Sequence, residues 1–183
     1  GLMGDAAFLA GTRRQPLGDR KAGQSADLDA LAAYVASLNR FDDTPHRVNS
    51  TTLTAAGAEG RALFQALDCA SCHAGTAFSA SGVNTLLDVG TLQAASGQRL
   101  GAPLAGIDPP TLRDAWATAP YLHDGSAATL ADAIRAHSGA ATLPPADVDR
   151  LAAYLQQVGR EEGAAPQGAG TGTGLVGRYY NGT

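Results

Sequence analysis

Apolar side chains recur with a spacing of three to four residues in four stretches of the chain, and each such stretch predicts an amphipathic helix. In "ADLDALAAYVASLNR" (26–40) the stripe is Leu28, Leu31, Ala32, Val35 and Leu38. In "AEGRALFQAL" (58–67) it is Leu63, Phe64 and Leu67, and the helix runs straight into Cys69. "TLADAIRAHSG" (129–139) carries Leu130, Ala133, Ile134 and His137 on one side. Thr129 is its predicted N-cap, Asp132 stands three residues on, and Gly139 is its predicted stop. In "ADVDRLAAYLQQVGR" (146–160), behind the breaker Pro144-Pro145, the stripe is Leu151, Tyr154, Leu155 and Val158. No alternating pattern interrupts these segments, so an all-α domain is expected over 50–160.

The first and last helices resemble each other. "DLDALAAYVASLNR" (27–40) and "DVDRLAAYLQQVGR" (147–160) agree at seven of fourteen positions without a gap. Residues 1–42 are therefore expected to be the tail of an upstream domain built like 50–160. Residues 161–174, "EEGAAPQGAGTGTG", have the composition of a flexible linker. The following "LVGRYYNGT" (175–183) reads as a first β-strand with nothing to pair against, and "GLVGRYYNGT" is similar to the opening of protective-antigen-type β-sandwich modules.

Composition narrows the function classes. The 183 residues hold 13 basic and 17 acidic side chains with no basic cluster, which argues against nucleic acid as a partner. No run of eighteen apolar residues predicts a membrane span. Aromatic residues make up only 5% of the chain. So thin a supply of large side chains suits a domain wrapped around a large apolar cofactor.

The two cysteines name that cofactor. Cys69 and Cys72 stand in "DCASCHAG" with His73 directly behind them. A thioredoxin-like redox pair requires a strand before the motif, and here a helix precedes it. A structural zinc requires two further ligands, and His46, His123 and His137 are not spaced as a second knuckle. Attachment of one haem c explains all three residues. Two thiols two residues apart reach the vinyl groups on one edge of a porphyrin, and the adjacent imidazole reaches iron. Gly60 and Phe64 on the helix before Cys69, with Tyr154 on the last helix, are similar to the cytochrome c arrangement, in which the first and last helices cross at a glycine.

The second axial position is open to several readings. The only methionine, Met3, lies far from the domain. His137 shares the buried stripe of its helix and is the leading candidate. His123, in the loop "TAPYLHDGS", either bonds a propionate or holds the turn, and His46 is read as surface. A water or an empty position also remains open.

"PPTLRDAWATAPYLHDGSAATLADAIRAH" (109–137) closely resembles the C-terminal haem domain of bacterial di-haem cytochrome c peroxidases. The resemblance extends upstream through "LAAYVASLNRFDD" and "GAEGRALFQALDCASCHAG", covering about 27–160. It implies an all-α domain that receives electrons and relays them to a second haem in an upstream domain of the same chain. The family's axial methionine falls at the position of His137, so the ligand type differs here. Arg113 matches an arginine near the haem, which implies a propionate contact. The carbonyls of Thr118 and Pro120 match calcium-binding positions, a faint implication of calcium.

The expected function is electron transfer by one covalent haem, as half of a di-haem, peroxidase-like oxidoreductase. The alternatives are a peroxide-reactive haem with an open axial face, and a sensory or binding module tethered to extracellular domains. The only glutamates are Glu59, Glu161 and Glu162, none in the haem-facing blocks, which weighs against the catalytic alternative. Haem c is attached outside the cytoplasm, so a periplasmic or secreted location is expected, with a small electron-donor protein as partner.

Overall fold

The computed structural model describes residues 23, 25–81, 86–99 and 102–166. The expected β-strand at 175–183, most of the linker and Met3 lie outside these residues. Two compact units divide the chain: residues up to Phe41 with Gln98–Ala102, and Asp42–Gly97 with Pro103 onward.

In the first unit, helix α1 runs from Ala26 to Ser37. The Ser25 hydroxyl accepts from Leu28 N, and Asp27 and Asp29 complement the positive end of the helix. No side chain of α1 is buried. Its predicted apolar stripe is largely open: Leu31, Ala32, Val35 and Leu38 are exposed, as is the neighbouring Tyr34, and Leu28 is half-buried.

The second unit is built on α2 (Ala55–Ala66), α3 (Leu130–Ala136) and α4 (Pro145–Leu155), joined by long loops and short 3-10 turns. A short ribbon pairs β1 (Gln98–Arg99) with β2 (Ala102–Pro103), and of its residues Gln98, Arg99 and Ala102 fall in the first unit. α2 starts at Thr54, whose hydroxyl accepts from Gly57 N at 3.1 Å. α4 starts at Pro145, where a missing N–H costs nothing. The two helices cross at Gly60. A Cβ there would overlap the Arg150 carbonyl and lie 2.9 Å from Tyr154 Cβ, so the crossing distance itself requires glycine. Beside the crossing, Phe64 meets Tyr154 edge-on at 5.5 Å and Phe78 at 6.1 Å. Val148, Leu151 and Val158 complete this buried face. Aromatic pairs of this kind add about 0.5–1.5 kcal/mol each beyond the area they bury.

α3 opens with the predicted cap, now reciprocal. The Thr129 hydroxyl accepts from Asp132 N, and the Asp132 carboxylate accepts from Thr129 N, both at 3.1 Å. It ends earlier than the predicted stop at Gly139. His137 leaves the helical region at ψ 124° as the C-cap, and Ser138–Ala140 form a 3-10 turn.

The edges of this unit differ from the expected 50–160. Arg160 N donates to Asp42 O at 2.8 Å, Thr44 Oγ1 to Gln156 O at 2.6 Å, and Arg47 Nε to Gln157 O at 2.9 Å. Arg47 also pairs with the buried Glu162 carboxylate. Ala165 is buried, its N–H donating to Gly75 O at 2.9 Å. The unit thus starts at Asp42, and 161–165 belong to its packing rather than to a linker.

Candidate haem-binding site

Helix α2 delivers the cysteine motif. It ends at Ala66 with Leu67 as its C-cap, Asp68 takes a left-handed conformation (φ 55°), and the chain then tightens into a 3-10 turn over Cys69–Ser71. Cys72 N and His73 N both donate to Cys69 O, at 3.3 and 3.0 Å. The turn buries Ala70 and leaves both cysteines half-buried and free of any disulfide, with Cys72 Sγ 3.8 Å from Ser71 Oγ. Burial pushes the Cys69 thiol up to about 11, with the charges of Asp68 and Cys72 adding to the rise. The sulfur is held as a thiol at neutral pH.

His73 is clamped from two directions. Its Nδ1 lies 3.1 Å from Pro110 O and 3.3 Å from Phe78 O. Carbonyl oxygens only accept, so Nδ1 carries the proton and the lone pair is on Nε2. His137 repeats the device, its Nδ1 lying 2.8 Å from Ala133 O one turn back on α3. With Nδ1 tied to a carbonyl, Nε2 is the nitrogen that each neutral ring has left for a metal. Burial lowers the pKa of His73, and the nearby His137 lowers it further, while the two carbonyl bonds oppose the shift. Both histidines are half-buried in one neighbourhood.

The other predicted residues are placed differently. His123 is exposed, and its Nε2 lies 2.8 Å from Ser96 Oγ, tying its loop to the 93–97 segment. Of its two readings, holding the turn is the one this contact supports. The loop closes through Tyr121 N to Ala127 O at 2.7 Å and Tyr121 Oη to Ala115 O at 2.7 Å. His46 is exposed as expected, edge-on to Trp116 at 6.0 Å. Thr118 and Pro120 are exposed around the cis Ala119–Pro120 bond. Among the described residues, no three acidic, imidazole or thiol side chains gather as a metal site.

Arg113 is built into the packing of the unit. It is buried, with Nε donating to Thr76 O, Nη1 to Gly159 O, and Nη2 to Glu162 O (3.0 Å) and Gly163 O (2.9 Å). Its guanidinium also stacks over Phe78 at 5.3 Å. These contacts give its guanidinium a main-chain role that the resemblance did not imply. Sequence reasoning missed Phe78 and Pro110 as partners of His73. The bond comes from their carbonyls, and side-chain identity carries no signal for it beyond the Pro109-Pro110 pair.

The RoxA-like, cytochrome c-like family model matches residues 103–139, the block that holds Arg113, His123 and His137. The chain carries a cytochrome c-like domain. Two curated relatives agree. Hydrazine synthase subunit gamma of Kuenenia stuttgartiensis is 28% identical over 170 residues, covering 70% of this chain and 48% of that protein. Cytochrome c peroxidase Ccp of Escherichia coli (strain K12) is 30% identical over 146 residues, covering 71% and 31%. A solved structure of Kuenenia stuttgartiensis hydrazine synthase pressurised with 20 bar xenon superposes with a TM-score of 0.51 at 25% identity, covering 71% of this chain and 54% of that one. The chain thus spans about half or less of the curated relatives it matches. Helix-rich architecture and family agree, and a cytochrome c-like domain implies haem c. The residues present fit that group: two free thiols at the attachment spacing, and two imidazoles whose Nδ1 is occupied by a main-chain carbonyl, leaving Nε2 as the ligating atom. Among the described residues, no helix is long and apolar enough to cross a membrane.

Proposed function

We propose that this cytochrome c-like domain binds one haem c through Cys69 and Cys72, takes His73 and His137 as axial ligands, and transfers electrons as half of a di-haem, peroxidase-like oxidoreductase. The observation that carries this reading is the matched pair of imidazoles, each pinned at Nδ1 by a carbonyl and each presenting Nε2. The bound group supplies a one-electron iron couple. The protein supplies the rest: Cys69 and Cys72 fix its edge, and His73 and His137 fix its faces. Two imidazoles favour ferric iron more than an imidazole and a thioether do, so the potential lies below that of a methionine-ligated relative.

The burial pattern of α1 supports an upstream haem domain as neighbour, because the positions of α4 that match its exposed stripe are buried. A small electron-donor protein completes the path. The location is periplasmic or secreted, since haem c is attached there, and calcium at the Thr118 and Pro120 carbonyls remains part of the proposal only by resemblance. A peroxide-reactive open face receives no support from the glutamates. Glu162 pairs with Arg47 and Arg61, Glu161 lies near Arg47, and Glu59 pairs with Arg150.

Protein made in a host competent for haem c attachment tests this directly. Wild type retains its haem through acid–acetone extraction and gives a low-spin spectrum. His137→Ala turns the spectrum high-spin while the haem stays attached. A low-spin H137A spectrum overturns His137 as ligand, and colourless wild type overturns the whole reading.

A further inference from the structure

We propose that Arg113 is a positioning residue for the axial imidazole of His73, acting through the two loops that hold His73 Nδ1. This rests on the haem reading above. One carbonyl on Nδ1 belongs to Phe78 and the other to Pro110, so the ring is steady only while the 75–79 and 109–113 loops keep their spacing. Four contacts set that spacing. Leu112 N donates to Phe78 O at 3.2 Å, Ser79 Oγ to Pro109 O at 2.8 Å, Thr111 Oγ1 to Ala77 O at 2.5 Å, and Arg113 Nε to Thr76 O. Arg113 is the one side chain among them that reaches a third body. It stacks on the Phe78 ring and holds the carbonyls of Gly159, Glu162 and Gly163 at the end of the unit. Its backbone N–H donates to Thr111 Oγ1 at 3.1 Å, which aims that hydroxyl at Ala77. A planar fork is needed for this, because an ammonium on a flexible stem cannot meet carbonyls in several fixed directions at once.

The consequence is electronic as well as steric. A tight Nδ1–H···O=C bond makes imidazole a stronger donor to its metal, and the partner that orients a ligand sets metal properties as the ligand itself does. Loosening the two loops weakens that bond and withdraws donation, which disfavours ferric iron.

The test uses haem-loaded protein and the charge-preserving variant Arg113→Lys. The midpoint potential of R113K rises relative to wild type. In the reduced protein the His73 Nδ1–H resonance exchanges with solvent about tenfold faster, the scale of losing one charge-assisted hydrogen bond. Thr111→Val, which cuts two weaker contacts of the same clamp, shifts both readouts in the same direction by less, and it alone decides the matter if R113K does not fold. A residue that only stabilised the fold would lower the melting temperature and leave potential and exchange unchanged. That outcome, with haem attached, overturns the proposal by itself. Wild type without attached haem overturns the haem reading, and the proposal falls with it.

Discussion

Helices α1 and α4 share half their residues over fourteen positions, yet one is buried along a full face and the other not at all. Tyr154 is wholly buried, whereas Tyr34, at the matching position, is 62% exposed. Leu151 and Leu31 differ in the same way. Their caps differ, a Ser25 hydroxyl on α1 and the Pro144-Pro145 pair on α4, but a cap sets where a helix starts and buries no face, so what separates the two stripes is the presence of a partner. α4 has α2, with Gly60 to let the backbones meet and Phe64 to fill the space beside it. The stripe on α1 is a face of the same design without that partner among the described residues. An amphipathic pattern thus specifies a helix and its sticky side, and it leaves open what lies against it.

The largest way to break this comparison is at the crossing. Gly60→Leu drives a side chain into the Arg150 carbonyl, and a backbone wall cannot yield as a side chain can. The expected loss exceeds about 4 kcal/mol, the range reserved for such clashes, and circular dichroism should show loss of the cooperative fold. Next come the paired leucines. Leu151→Ala is expected to cost about 2–5 kcal/mol in urea unfolding. Leu31→Ala, at a site 46% exposed, should stay within about 0.5 kcal/mol. Equal losses at the two sites would mean that α1 is covered in solution as α4 is.

An effect silent at neutral pH is at Tyr154, whose hydroxyl is held protonated above its usual range, first by burial and then by the charge of Glu162. Above pH ~10 the unfolded chain releases this proton while the folded chain keeps it. The folded state then binds more protons, so stability falls as pH rises, by about 1.4 kcal/mol per unit for this one residue. Tyr154→Phe removes that share, and the two stability curves should converge with increasing alkalinity. Parallel curves would show that Tyr154 titrates normally.

The sequence made the helices and the attachment motif legible for physical reasons. A repeat of 3.6 residues, a reciprocal Thr129–Asp132 cap and a fixed cysteine spacing are local, and local rules survive in one dimension. What stayed hidden depends on backbone groups far apart in the chain. Arg113 was read by resemblance as a propionate contact, and the carbonyls it holds lie more than thirty residues away. The carbonyls that fix the tautomer of His73 are anonymous in the same sense. Residues 161–165 have a linker's composition, yet Glu162 is drawn in by Arg47 and Arg61, and no periodicity records a buried ion pair.

The hydrogen bond from Arg160 N to Asp42 O ties the first residue of the compact unit to the stretch just behind α4. Thr44 and Arg47 continue that seam, reaching the carbonyls of Gln156 and Gln157. These carbonyls close the C-terminal end of α4, where a helix leaves main-chain acceptors without partners of its own. Cutting the chain between Asp42 and Arg47 would therefore unlace the far end of the unit, over a hundred positions away in sequence, as well as shorten its start.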